Sequence, residues 1–226
     1  MMTDAWIPLL LTLKVAGIAT LINVFLGVAV AYLFARKDFI GKEFLDAALT
    51  LPMVMPPTVL GYYLLVILGR EGVVGSILRE QFNINLIFTW QGAVIAASIV
   101  SFPLVYKGAR AAFESTEIYY EQAAQVLNVS NWAIFLRVTL PLAWRGILAG
   151  SLLAFARSAG EFGATLMIAG SIPGKTQTLS IAVYEAVQAG QDNLANFLVL
   201  LTSVVCISVL LTAGRLAPGR VVSRRL

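Results

Sequence analysis

Residues 10–34 read LLTLKVAGIATLINVFLGVAVAYLF and decide the class of fold. Lys14 is the only charged residue in this run. A helix needs about 20 apolar residues to cross the hydrocarbon core of a bilayer, which is about 30 Å thick. The segment is therefore predicted to cross a membrane as one helix.

The composition of the whole chain also indicates a membrane protein. Of its 226 residues, 59% are hydrophobic and 12% are charged, and the mean hydropathy is +0.84. A soluble domain carries about 25% charged residues, and a disordered chain needs low hydrophobicity, so both classes are excluded. The absence of histidine and the single cysteine, Cys206, exclude a histidine-based metal site and an internal disulfide.

Five segments are predicted to span the membrane, within one all-α domain that covers residues 1–226. The segment between the first two, KDFIGKEFLDAALT (37–50), is too charged to span and has apolar residues at helical spacing. This pattern predicts an amphipathic helix at the membrane interface. The five predicted spans are Leu10–Phe34, Pro52–Leu68, Gln91–Tyr106, Gly146–Ala169 and Asn196–Ala213.

The positions of the basic residues predict the orientation. Eleven of the 16 basic residues fall in segment 36–50, in segment 107–145 or in the tail from Arg215. Because basic residues collect on the cytoplasmic side, the N-terminus is expected outside and the C-terminus in the cytoplasm. The same rule explains the net charge of +4, so this charge does not indicate a nucleic-acid partner. We expect Lys14 to lie near the outer interface.

The largest polar segment, residues 108–140, is predicted to hold two short helices joined by a tight turn. Ser115 or Thr116 is expected to cap the first helix, and Ser130 the second, which carries Trp132. Asn128 suits the left-handed turn between them, and Pro141 is expected to stop the second helix. From the residues alone, this segment is either an ordinary helical loop or a knob that docks on a cytoplasmic partner.

This segment resembles the EAA loop of binding-protein-dependent ABC importer permeases. The matching pattern is an E-x-A-A run, a turn residue four positions on, and a later L-P pair, although this chain has asparagine where the family usually has glycine. The resemblance implies that the segment docks into an ATPase subunit. The residues that it assigns to coupling are Glu121, Ala123, Ala124, Asn128, Leu140 and Pro141, with Trp132 on the second helix.

Three further stretches resemble the molybdate/tungstate branch of these permeases, and sulfate permeases share the plan. They are LPMVMPPTVLGYYLL from Leu51, GAVIAASIVSFPL from Gly92 and LAFARSAGEFGATLMIAGSIPGKTQTLS from Leu153. The resemblance implies a multi-pass subunit of a prokaryotic inner membrane that imports an oxyanion, most simply molybdate, by alternating access. Tungstate and sulfate or thiosulfate are the alternatives. A secondary transporter or channel, and a membrane scaffold, are rival classes.

Charged and polar residues in the fourth predicted span indicate a candidate gate. Arg157 and Glu161 are four residues apart, so on one helix they share a face and can pair. Charges inside a membrane usually face the bundle interior or a wet cavity. The pair is therefore either a structural lock between helices or part of the translocation path. The full set of pore candidates is Arg157, Ser158, Glu161 and Thr165, with Ser101, Pro56 and Pro57 on the second and third spans.

The chain is predicted to be a transport subunit, without catalytic residues, a bound metal or a cofactor of its own. GSIPGKT (170–176) has only three residues between its glycines and is expected on the outside, so it is interpreted as a turn and not as a phosphate-binding loop. The resemblance implies that ATP and magnesium bind to a separate ATPase. The expected partners are a second copy of this chain, two ATPase subunits, a periplasmic oxyanion-binding protein and membrane lipid.

Overall fold

The chain is helical over most of residues 2–216, which are the residues that the computed structural model describes. A π-helical turn, Phe135–Thr139, joins two of the helices. In chain order the α-helices are α1 (Met2–Arg36), α2 (Lys42–Val54), α3 (Pro57–Leu68), α4 (Val73–Phe82), α5 (Trp90–Glu114), α6 (Ile118–Val126), α7 (Asn131–Ile134), α8 (Leu140–Ala159), α9 (Gly163–Ala169), α10 (Leu179–Gln188) and α11 (Asp192–Leu216).

Four helical stretches among the described residues are long and apolar enough to span a membrane. They are α1, α5, the continuous run from Asn131 to Ala159, and α11. A fifth span is counted if the bent pair of α2 and α3 is taken as one. The prediction of an all-α, polytopic fold with about five spans is confirmed. Arg220, Arg224 and Arg225, which contributed to the predicted orientation, lie outside the described residues.

The second predicted span, Pro52–Leu68, is not one continuous helix, because its residues divide between α2 and α3. Helices α2 and α3 meet at 110°, and Met55 and Pro56 between them are extended. A residue before proline avoids the helical region, and proline cannot donate a backbone hydrogen bond. The consecutive prolines, Pro56 and Pro57, therefore end α2 and start α3. Pro52 lies inside α2, which continues the predicted interfacial helix.

The fourth predicted span, Gly146–Ala169, is also interrupted. Helix α8 begins earlier, at Leu140, and ends at Ala159, and α9 begins after a break at residues 160–162. Pro141 does not stop the preceding helix as predicted. It lies in the first turn of α8, directly after the π-helical turn, and the helical run continues through it.

The centre of the bundle is formed by α1, α5 and α8. Helices α5 and α8 cross at glycines: a Cβ atom on Gly146 would lie 2.6 Å from the Cβ atom of Ala112, and one on Gly108 would lie 3.0 Å from Gly150 Cα. Small residues let helix backbones approach closely in membranes. This close crossing fixes α8, which carries the candidate gate, against α5.

Candidate coupling and translocation sites

The predicted turn of the coupling segment, residues 108–140, is present. Asn128 has φ of 55°, and the Ser130 hydroxyl accepts a hydrogen bond from Ala133 N at 3.4 Å. The expected cap of the first helix is wrong. Ser115 and Thr116 instead donate their hydroxyls to the carbonyl of Ala112, at 2.8 and 3.0 Å. They therefore close α5, and α6 starts after Glu117.

The tip of the coupling segment exposes large apolar side chains. Val126, Leu127 and Trp132 are 82%, 77% and 70% exposed. Fully burying a valine or leucine side chain is worth about 1.5–3 kcal/mol, so this tip would gain stability from a covering surface. Of the two alanines that were predicted to take part in coupling, Ala123 is exposed and Ala124 is half-buried.

Glu121 is the predicted coupling residue whose environment differs most from expectation. It is only 6% exposed, because its carboxylate faces the bundle. Arg36 donates from Nη2 to Oε1 at 2.6 Å and from Nε to both carboxylate oxygens at 3.0 and 3.2 Å. The buried Thr139 hydroxyl donates to Oε1 at 2.9 Å. Arg36 and Thr139 were not predicted as partners of Glu121, because both are distant from it along the chain.

Aromatic rings anchor the segment that leads into α8. Phe135 packs against Tyr32 of α1, with ring centroids 4.7 Å apart, and against Phe113 of α5 at 6.3 Å. The Trp132 ring stacks on Phe135 at 5.8 Å. Pairs in this distance range stabilise by about 0.5–1.5 kcal/mol beyond the area that they bury. Leu140 is half-buried at the start of α8, and Pro141 beside it is exposed.

The candidate gate lies where α8 breaks. Arg157 and Glu161 form an ion pair, with Nη1 and Oε2 2.7 Å apart. The expectation that both lie on one helix is wrong, because α8 ends before Glu161. The other carboxylate oxygen accepts a hydrogen bond from Ala164 N at 2.9 Å. One side chain thus holds the end of α8 and the start of α9 together. The Glu161 side chain is 1% exposed and that of Arg157 is 36% exposed.

The start of α3 packs directly on this break. A Cβ atom on Gly163 would lie 2.8 Å from Pro57 Cβ. Only glycine allows α9 to approach α3 this closely. Pro56 and Pro57 are exposed beside the break, and Thr165 is buried on α9. Pro57 of the second predicted span and Gly163 of the fourth are therefore neighbours at the break.

A buried chain of hydrogen bonds connects α1, α5 and α8. Asn23 Nδ2 donates to Ser101 Oγ at 2.9 Å and to the Ser98 carbonyl at 2.9 Å. Ser158 Oγ donates to Ser101 Oγ at 2.8 Å. Ser101 and Ser158 were predicted as pore candidates, whereas Asn23 was missed. The sequence did indicate a role for Asn23, because an asparagine in a run as apolar as residues 10–34 needs a buried partner.

A second ionic cluster holds α2 against the end of α5. Asp46 accepts hydrogen bonds from Tyr106 and Lys107, both at 2.6 Å, and from Arg110 at 2.7 Å. Arg110 also lies 5.9 Å from the centroid of the Phe34 ring near the end of α1, so Lys107, Arg110 and Arg36 lie at one end of the bundle, which is the end predicted to face the cytoplasm. At the other end, Lys14 Nζ lies 3.6 Å from the centroid of the Trp90 ring.

These features define a class of protein: a multi-pass helical membrane protein with an interrupted helix and, at one end, a loop that exposes apolar side chains. Residues 23–222 match the family described as binding-protein-dependent transport system inner membrane component, and the chain belongs to this family. The predicted family and membrane location are confirmed, as is the prediction that the chain is a transport subunit and not an enzyme.

Two relatives show which kinds of permease the chain is similar to. The chain is 43% identical over 209 residues to the molybdenum transport system permease protein ModB of Escherichia coli (strain K12), covering 92% of this chain and 91% of that protein. It is 39% identical over 185 residues to the sulfate transport system permease protein CysW of Synechococcus elongatus, covering 82% of this chain and 64% of that protein.

A solved structure shares the fold. It is the crystal structure of a bacterial alginate ABC transporter in complex with an alginate pentasaccharide-bound periplasmic protein. The match has a TM-score of 0.67 and covers 92% of this chain and 76% of that one, at 19% sequence identity.

Proposed function

We propose that this chain is the permease subunit of an ATP-driven importer that moves an oxyanion, molybdate first, into the cytoplasm. The observation that carries the proposal is the 43% identity to a molybdenum transport permease over nearly the full length of both chains. The substrate is a dianion, and an unpaired ion in hydrocarbon costs tens of kcal/mol by Born estimates. It therefore needs a protected wet path that opens to one side at a time.

Energy would come from a separate ATPase that binds ATP and magnesium. The exposed tip formed by Val126, Leu127 and Trp132 supports docking of such a subunit, since a soluble surface rarely leaves so many apolar side chains uncovered. Two copies of this chain would form the pore, each with one ATPase subunit. A periplasmic binding protein would deliver the anion to the external segments 69–89 and 171–193.

The break between α8 and α9 is proposed as part of the gate. Interrupted helices near the midplane line the substrate path in many transporters. Glu161 already neutralises Arg157, so the site does not hold an unpaired cation that would trap a dianion. Pro57 at the start of α3 lies against Gly163 at the same break, which would let α3 and α9 move together.

Sulfate or thiosulfate is the second candidate substrate. The 39% identity to a sulfate permease favours it, although the match covers only 64% of that protein. Uptake of radiolabelled molybdate by vesicles with the complete transporter, measured against unlabelled molybdate, tungstate and sulfate, tests the choice. We expect molybdate and tungstate to compete more strongly than sulfate. Stronger competition by sulfate would overturn the assignment of molybdate.

Docking can be tested at the exposed Ala123. Ala123→Arg places a long cation on the coupling surface, whereas Ala189→Arg makes the same change at an exposed position after α10. We expect the first variant to reach the membrane normally but to lose binding of the ATPase and uptake, and the second to retain binding of the ATPase. Normal ATPase binding by Ala123→Arg would count against docking at this surface.

A further inference from the structure

We propose that Glu121 is a positioning residue that ties the coupling helix to the membrane bundle, and not a contact to the ATPase. This inference rests on the proposed function, since it concerns how force from the ATPase reaches the gate. The direction of the Glu121 carboxylate supports this role. The side chain is only 9% exposed, and both its oxygens already accept hydrogen bonds from Arg36.

The linkage joins three separate elements. Arg36 is the last residue of α1, Glu121 lies on α6, and Thr139 ends the π-helical turn before α8. The guanidinium donates three hydrogen bonds to the carboxylate, the shortest at 2.6 Å, and the hydroxyl adds one at 2.9 Å. Charge-assisted pairs of this kind fix geometry as well as adding energy. Helix α6 therefore cannot shift alone while these bonds persist.

The π-helical turn contributes to the placement of Thr139. The N–H group of Leu140 donates to the carbonyl of Phe135, five residues back, whereas an α-helix bonds four residues back. Such turns insert one residue and rotate the side chains around them. Here the turn accompanies a fully buried Thr139 whose hydroxyl meets Glu121.

Two continuous routes lead from this linkage towards the candidate gate. From Thr139, α8 runs without a break for 20 residues to Ala159, about 30 Å at 1.5 Å per residue, and carries Arg157. From Arg36, α1 leads back to Asn23, whose hydrogen bond to Ser101 connects it to α8. The Ser158 hydroxyl of α8 donates to Ser101, so a displacement of α6 would reach α8, which carries Arg157, by both routes.

The test separates coupling from docking and from simple stability. The complete transporter is reconstituted in liposomes, and two quantities are measured: binding of the ATPase, and the number of anions imported per ATP hydrolysed. Glu121→Gln keeps the size of the side chain and removes its charge. Glu117→Gln makes the same change at an exposed position just before α6. Thr139→Val removes one hydrogen bond and leaves the ion pair intact.

We expect Glu121→Gln to bind the ATPase normally but to import at least about fivefold fewer anions per ATP, the lower end of typical allosteric coupling. Thr139→Val should lower the ratio less, and Glu117→Gln should not change it. The exchange Arg36→Glu with Glu121→Arg should restore part of the loss.

Reduced ATPase binding by Glu121→Gln, with a normal ratio in the complexes that form, would overturn the proposal in favour of a docking contact. An unchanged ratio with normal binding would overturn it as well. Failure of the proposed function would look different, because the unmodified transporter would then import anions without its ATPase.

Discussion

Removing either partner of the Arg157–Glu161 pair should have unequal effects on stability. The Glu161 side chain is 1% exposed, whereas that of Arg157 is 36% exposed. Arg157→Gln would leave a buried carboxylate without its cation, which costs about 3–5 kcal/mol for buried pairs. Glu161→Gln would leave an arginine that can still reach water. The free energy of unfolding would then fall by about 1.5–3 kcal/mol, the value of a charged hydrogen bond.

Glu161 also accepts a hydrogen bond at the start of α9, and this bond allows a second comparison of variants. Its Oε1 accepts from Ala164 N at 2.9 Å, and a glutamine oxygen can keep that bond, whereas alanine cannot. Glu161→Ala should therefore lose about 1 kcal/mol more than Glu161→Gln, the usual cost of a lost helix cap. The exposed Lys175, in an external turn, supplies a control, and Lys175→Gln should leave stability unchanged.

The assay is reversible unfolding of the purified chain in mixed detergent and SDS, followed by circular dichroism. The free energy of unfolding is extrapolated to zero SDS for each variant. The order of loss should be Arg157→Gln, then Glu161→Ala, then Glu161→Gln. An equal or smaller loss for Arg157→Gln than for Glu161→Gln would show that the buried carboxylate does not depend on Arg157.

Three further predictions use the same assay. Gly146→Ala should cost about 1–3 kcal/mol by overpacking against Ala112, whereas Gly17→Ala, with no atom within 4 Å of the new Cβ, should be neutral or up to about 1 kcal/mol more stable; equal effects would contradict the close crossing. Asn128→Val should cost about 1–2 kcal/mol because of the left-handed backbone, and Asn128→Gly should show no such loss. Asn23→Ala should cost about 1 kcal/mol, since hydrogen bonds between membrane helices average about 0.6 kcal/mol each, and no loss would argue against the buried network.

Features that depend on local sequence were predictable. The apolar run 10–34 lies within α1, since hydropathy alone is sufficient to identify a span. The left-handed Asn128 and the cap by Ser130 follow from the chemistry of a few adjacent residues. For the same reason, the pairing of Arg157 with Glu161 could be anticipated from their spacing, although the helix break between them could not.

Features that depend on distant contacts were not predictable from one sequence. The direction of Glu121 depends on Arg36, which is 85 residues away in the chain. The break after α8 is stabilised by the approach of Gly163 to Pro57, which no local pattern encodes. Pro141 shows a third cause of error, because a proline suits both the residue after a helix and its first turn. Whether a helix ends before Pro141 or includes it depends on how the rest of the protein packs around this segment.

Import of an oxyanion by this chain, with energy from a separate ATPase, can be measured directly. Vesicles are prepared with the chain, its ATPase and its binding protein, and uptake of radiolabelled molybdate is followed with ATP, without ATP, and without the ATPase. We predict concentrative uptake only when all components and ATP are present. Uptake that persists without the ATPase would contradict this prediction and indicate a transporter or channel that works alone.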